Sequence, residues 1–306
     1  MSSRPPAPVL GLALGSGASR GWSHIGTIKA LVDAGLEPGV VCGTSVGAMM
    51  AGAYLTGNLD RLEQWVLGIS RAELYRFFGI RFSNAGFVNM DRMNAFIRDY
   101  VAAEGTNIED LPKPYAAVAT DLGTGREVWF REGLLADAIN ASMAMPGMFS
   151  PVKIDNRWLV DGGLVNPVPV SACRALGADV VIAVNLNTDI IGKRARKMEA
   201  KTAQEEEGLL QSLKQQAREY SGAIFPKTNE KDAPPGAFST VSSAINIFQD
   251  RITRSRLAGD PADIILAPRL GDIGILEFGR AAEAMQQGAE SVNNALPEIR
   301  RALNAS

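Results

Sequence analysis

The sequence predicts an α/β fold with a mainly parallel sheet covered on both faces. Three observations carry that reading: apolar runs of strand length, helical patterns between them, and glycine-rich turns where one gives way to the other. The strands expected at Val9–Leu14, Val40–Gly43 and Val180–Val184 are apolar almost throughout, as strands buried on both sides must be. Short connections alternate with helices, and that order favours parallel pairing.

Taken in order, Val9–Leu14 is a buried strand that runs into Gly15-Ser16-Gly17-Ala18-Ser19-Arg20-Gly21. A helix is expected from about Trp22 to Ala34, with Ile25, Ile28, Leu31 and Val32 on one face and Gly35 as its stop. Val40–Gly43 is the second strand, and Val46–Leu55 the helix that leaves it. Residues 58–100 read as helical with a looser middle around Gly79–Phe87. Tyr115–Thr120 and Glu127–Phe130 read as strands about the turn Asp121-Leu122-Gly123-Thr124-Gly125. A short helix is expected at Leu134–Ala141, a strand at Trp158–Val160, and a helix at Ser171–Leu176 stopped by Gly177. The last helix runs from about Phe278 to Leu303, with a break at Pro297.

The domain organisation expected is a disordered lead over residues 1–8 and one domain over 9–303. Within it, 188–236 reads as a mobile insertion or flap, because it carries Lys193-Arg194-Ala195-Arg196-Lys197, then Glu205-Glu206-Glu207, and closes on Pro234-Pro235-Gly236. Beyond it, Ser243–Leu257 reads as an amphipathic helix with Ile245, Phe248 and Ile252 on one face.

Composition narrows the function. A net charge of −2 gives no general affinity for nucleic acid, which calls for a basic face. One histidine, and two cysteines (Cys42 and Cys173) without ligand spacing, leave no zinc site, so neither metal nor cofactor is expected. The first residues lack the apolar core of a signal peptide, and no apolar stretch is long enough to span a bilayer. A cytoplasmic chain is the expectation, with any membrane contact peripheral, at the inner surface.

The chemistry centres on Gly43-Thr44-Ser45-Val46-Gly47. A Gly-x-Ser-x-Gly placed between an apolar strand and a helix presents the serine on a sharp turn, where Gly43 and Gly47 relieve crowding. The helix from Val46 aims its N-terminal dipole at Ser45 and favours a developing alkoxide. A serine needs a base, and the usual one is histidine. His24, the only histidine, precedes the serine and stands at the start of a helix, where a structural role is the better reading. Asp161 closes an apolar strand and is followed by Gly162 and Gly163, whose small size allows a sharp turn at the same sheet edge. It is the natural base. The Gly15–Gly21 loop lacks the glycine and the acidic residue of a dinucleotide fingerprint, and beside a serine elbow it reads as an oxyanion hole. Arg20 either braces that loop, or forms a structural ion pair, or attracts an anionic head group.

These three elements, in this order, resemble the patatin-like phospholipases, whose pattern is a glycine-rich loop ending in Arg-Gly, a Gly-x-Ser-x-Gly elbow and an Asp-Gly-Gly/Ala motif. Ala141–Pro151 looks like the family's approach to the aspartate strand. Residues 252–278, with Arg254-Ser255-Arg256 and Ala262-Asp263-Ile264, look like its bacterial esterase branch, related to the neuropathy-target-esterase catalytic domain. The likeness covers about Val9–Leu303. It implies a three-layer α/β/α fold with a Ser45–Asp161 dyad at the C-terminal edge of the sheet, oxyanion donors at Gly17 and Ala18, and release of fatty acid from a phospholipid or lysophospholipid through an acyl-serine. Ser16 and Ala18 stand where the family often has glycine, so Gly17 is the firmest donor. The alternatives are a soluble short-chain carboxylesterase or thioesterase with the same dyad, and a non-catalytic lipid-binding scaffold. The basic cluster at Lys193–Lys197 suits an anionic bilayer and equally a solvated surface, and the Ser243 helix suits lipid or a second copy of the chain.

Overall fold

The computed structural model describes residues 7–70, 73, 90–188, 237–274 and 276–305. Most of the 1–8 lead, the looser stretch at Gly79–Phe87, and the flap with its Lys193–Lys197 cluster lie outside these residues.

Eight strands form one sheet: β1 (Leu10–Leu14), β2 (Val40–Thr44), β3 (Tyr115–Asp121), β4 (Glu127–Phe130), β5 (Val152–Ile154), β6 (Arg157–Asp161), β7 (Val180–Val184) and β8 (Ile264–Leu266). Their order is β5-β6-β3-β2-β1-β7-β8, with β4 also on β3. The pairs β1–β2, β1–β7, β2–β3 and β7–β8 are parallel, and β3–β4, β3–β6 and β5–β6 are antiparallel. The strands β5 and β8 escape sequence reading because three residues are too few to show alternation.

The helices are α1 (Ser23–Asp33), α2 (Val46–Leu55), α3 (Leu59–Gly68), α4 (Met90–Tyr100), α5 (Leu135–Met143), α6 (Val170–Ala175), α7 (Ala237–Gly259) and α8 (Ala281–Ala305). Side chains alternate across the sheet and build two unequal cores. Leu10, Leu12 and Leu14 of β1, with Val180, Ile182 and Val184 of β7, join the large core beneath α1, α2, α3, α4, α5 and α8. Ala13, Cys42, Ala116 and Ala183 face the other way, into a thin core with Val170, Ala172 and Cys173 of α6. Small residues are required there: a methyl on Gly11 would stand 2.5 Å from the Ala178 Cβ. The layers are α/β/α, as expected.

Pro297 does not break the last helix. Helix α8 runs through it, with Val292 before it and Ile299 after it both fully buried. Burial on both sides outweighs the one backbone hydrogen bond that a proline removes.

Candidate active site

The register of β3 brings Ser45 and Asp161 together. Strand β4 pairs with residues 117–120 of β3, β2 with 115–118, and β6 with 119–121. A strand edge holds one neighbour at each position, so β2 and β6 must share the edge opposite β4. They run toward each other along it. Thr44 ends β2 opposite Val118, and Asp161 ends β6 opposite Ala119. Two strand ends therefore meet head to head, with Ser45 at the junction.

Ser142 of α5 fills the gap between the two strand ends. Its Oγ accepts from the Ser45 N–H at 2.8 Å and donates to the Val118 carbonyl at 2.6 Å. Ser45 itself has φ 58° and ψ −126°, a left-handed conformation that side-chain-bearing residues rarely adopt. The turn is held by close packing: a methyl on Gly43 would lie 2.3 Å from the Gly47 carbonyl, and one on Gly47 would lie 2.1 Å from the Leu14 oxygen. Both glycines of the motif are thus dictated by backbone crossing backbone.

Asp161 is fixed at every backbone atom that can be held. Its N–H donates to the Ala144 carbonyl at 3.0 Å, and its carbonyl accepts from Thr120 Oγ1 at 2.9 Å. Oδ1 accepts from the Gly163 N–H at 2.7 Å, while Oδ2 is buried with no hydrogen-bond partner among the described residues. Gly162 admits no side chain, since a methyl there would meet the Val118 oxygen at 2.1 Å, and a methyl on Gly163 would displace Gln249 Nε2, 2.5 Å away, and crowd Asp161 Oδ1 at 2.9 Å. Burial raises the Asp161 pKa to about 6, against the opposing pull of the Ser45 hydroxyl and the Gly163 amide.

The glycine-rich loop closes the third side. Gly15 N–H donates to Val184 O and Ser16 N–H to Pro167 O, whereas the amides of Gly17 and Ala18 donate to no described residue. Ala18 has φ 49° and opens a 3₁₀ turn through Trp22. Arg20 is buried, and its guanidinium donates to Gly17 O at 3.2 Å, Leu186 O at 3.4 Å and Asn246 Oδ1 at 3.2 Å. His24 is buried too. Its Nε2 lies 2.8 Å from the Gly15 carbonyl, which can only accept, so Nε2 carries the proton. Burial lowers its pKa to about 4, leaving it neutral at pH 7.

A narrow cleft with a cavity volume of about 30 Å³ opens over Ser45 and Ala18 and is lined by Trp22, Met49, Met143, Met145, Met148 and Phe278 among others. The wall is apolar, and its methionines are flexible side chains that adapt to an unbranched chain. Sequence reading did not reach Ser142 or these methionines as site residues; the only signal was the Met-rich run Ala141–Pro151.

Fold and site together define an α/β protein with a serine on a strand-to-helix elbow and a buried aspartate at its side. The sequence matches the patatin-like phospholipase family over residues 12–174, and the chain belongs to that family. It is 31% identical to an uncharacterized NTE family protein of Mycobacterium tuberculosis over 332 residues, covering 95% of this chain and 92% of that one. A lysophospholipase nte1 of Neurospora crassa is 25% identical over 95% of this chain, which spans 18% of that protein. Among solved structures, VipD from Legionella pneumophila aligns with a TM-score of 0.46 and 15% identity over 99% of this chain and 68% of its own. Family membership makes the chain a lipid-ester hydrolase. No helix among the described residues is long and apolar enough to cross a membrane.

Proposed function

We propose that the chain releases fatty acid from a phospholipid or lysophospholipid through a Ser45–Asp161 dyad. The observation that supports this most is the buried Asp161 carboxylate within reach of the Ser45 hydroxyl, its Oδ2 without a hydrogen-bond partner among the described residues. A group with a pKa about 6 is ionised at neutral pH and basic enough to accept a proton in the transition state.

Asp161 takes the Ser45 proton as Oγ bonds to the ester carbonyl carbon. The carbonyl oxygen becomes an oxyanion, held by the Gly17 and Ala18 amides, which have no other described acceptor. Collapse breaks the bond to the alcohol oxygen, which leaves with the proton from Asp161, and Ser45 stays acylated. Asp161 then deprotonates a water that attacks the acyl carbon, releasing fatty acid and returning the proton to Ser45. Arg20 braces the loop through Gly17 O. His24 holds Gly15 from behind as a neutral donor and takes no proton.

The apolar cleft over Ser45 supports this substrate class. A water-insoluble ester must be met at its surface, and α7, whose buried face contacts the Gly17–Ala18 loop, presents Phe248 at 58% and Ile247 at 48% exposure on its other side. We place the lipid-facing side of the protein there, as a peripheral contact.

The test is a fluorophosphonate probe read by intact mass, paired with fatty-acid release from lysophospholipid. Wild type should carry one adduct and turn over lipid, Ser45→Ala should lose both, and Asp161→Asn should fold and lose turnover by at least about 10³-fold. Retained turnover in either purified variant would sink the dyad. An adduct without lipid release would favour a soluble short-chain esterase or thioesterase, and no adduct in folded protein a lipid-binding scaffold.

A further inference from the structure

Helix α7 lies beyond the part of the chain that carries the family motifs, and it is patterned the wrong way round for a surface helix. Asn246, Gln249, Asp250 and Thr253, spaced along one face, are all buried, while Ile247 and Phe248 are exposed. Burying that many polar groups is costly unless they hydrogen-bond to something. Two of them bond to the loop that carries Gly17 and Ala18. Gln249 Oε1 accepts from Ser16 Oγ at 3.2 Å and from Asn187 Nδ2 at 3.3 Å, and that same Nδ2 lies 3.4 Å from the Ser16 carbonyl. Asn246 Oδ1 accepts from Arg20, whose Nε donates to Gly17 O. The contacts fall at Ser16 and Arg20, one on each side of Gly17 and Ala18.

Gln249 also reaches the other half of the site. Its Nε2 stands where a methyl on Gly163 would come within 2.5 Å, and Gly163 is the residue whose N–H holds Asp161 Oδ1 at 2.7 Å. One side chain thus touches both the glycine-rich loop and the aspartate turn. Neither its helix nor the loops impose that spacing alone, because the two loops follow strands separated by β2 and β3 in the sheet.

We propose that Gln249 is a positioning residue that sets the distance between the Gly17–Ala18 amides and Asp161, with Asn246 supporting the same loop through Arg20. This rests on the dyad reading above. A displacement of about 1 Å in such a site is enough to cost about a hundredfold in rate. The effect belongs to the transition state, because the acyl chain binds in a cleft that Gln249 does not line.

The experiment uses the full chain and a soluble ester, so that surface binding does not enter. Gln249→Leu should lower kcat about tenfold to a hundredfold with KM changed less than about threefold. Ser16→Ala should show a smaller loss of the same kind, and the double variant should lose no more than Gln249→Leu alone. Gln249→Glu keeps the oxygen that Ser16 and Asn187 use, and should retain most of kcat at high pH. It sets a second carboxylate against the aspartate turn, so the acid limb of its pH–rate profile should move upward. That limb is the readout that a merely structural residue would not move, and it decides the question if Gln249→Leu does not fold. Wild-type kcat in folded Gln249→Leu, or a Gln249→Glu profile that superimposes on wild type, would overturn the inference while leaving the dyad standing. A wild type with neither label nor turnover would overturn the dyad reading and this inference with it.

Discussion

At the scale of single residues, the site holds its charge at a cost, and that cost is measurable. An aspartate with an ordinary pKa near 3.8 that sits at about 6 when folded binds its proton more tightly in the native state. Stability is therefore undiminished below 3.8, falls as pH rises through the interval, and stays lower by about 3 kcal/mol above 6. Asp161→Asn removes the buried charge and can keep the bond from the Gly163 amide. It should be more stable than wild type at pH 8 by up to about 3 kcal/mol, and by clearly less at pH 5, in urea denaturation. An equal or larger gain at pH 5 would mean that burial does not raise this carboxyl. On the proposed dyad the same titration sets the rate: kcat/KM should fall with unit slope below about pH 6, since a protonated Asp161 accepts nothing. A limb near pH 4 would point to a solvated base. Ser45 and Asp161 were legible in the sequence because each motif is contiguous and its glycines are dictated locally. Ser142 and Gln249 were not, since Ser142 meets the Ser45 amide from 97 residues away and Gln249 meets Ser16 from 233.

At the scale of elements, most strands and helices could be read because their period matches their burial. Helix α7 was legible only in part: its apolar face with Ile245, Phe248 and Ile252 suits lipid or a second copy, and Phe248 is indeed exposed, but nothing in the pattern showed that the polar stripe from Asn246 to Thr253 is the buried side. Apolar periodicity finds the inward face only where the interior is apolar, and the C-terminal edge of this sheet is a polar site. Pro297 misled for a related reason, since local propensity yields to packing. The tightest packing in the helical layer joins α1 to α8. A methyl on Gly26 would lie 1.9 Å from the Met285 carbonyl, and one on Gly288 would lie 2.0 Å from the Ser23 carbonyl. Gly26→Ala should therefore destabilise the fold by about 1–3 kcal/mol or more, by forcing two helix backbones apart. It should also depress turnover, because α1 carries His24 and through it Gly15. Gly57→Ala is the control. That glycine has φ 74° and no neighbour within 4 Å, so only the conformational strain of about 1 kcal/mol remains. Equal losses in urea denaturation would refute the close-approach argument.

At the scale of the whole molecule, the two unequal cores place the chemistry. The large core under α1, α2 and α8 anchors the strands rigidly, and the ends of β1, β2 and β6 then meet at one edge. Across that edge lies α7, its polar side spent on the loops and its apolar side turned outward. Exposed aromatic and aliphatic side chains on a helix whose other face braces the site suit a lipid surface, where their burial is worth up to about 1.5–3 kcal/mol each. Replacing Ile247 and Phe248 together by serine removes that gain without touching the Asn246 and Gln249 contacts, because the pairs lie on opposite faces of α7. The double variant should turn over a soluble ester at the wild-type rate and release fatty acid from vesicles roughly tenfold or more slowly, with a matching loss in vesicle sedimentation. Proportional loss on both substrates would show that these side chains support the fold or the site. Unchanged vesicle turnover would move the lipid-facing side away from α7. Arg251 is also exposed on this helix, so the wild-type rate on anionic vesicles should fall as salt is raised, whereas the soluble-ester rate should not.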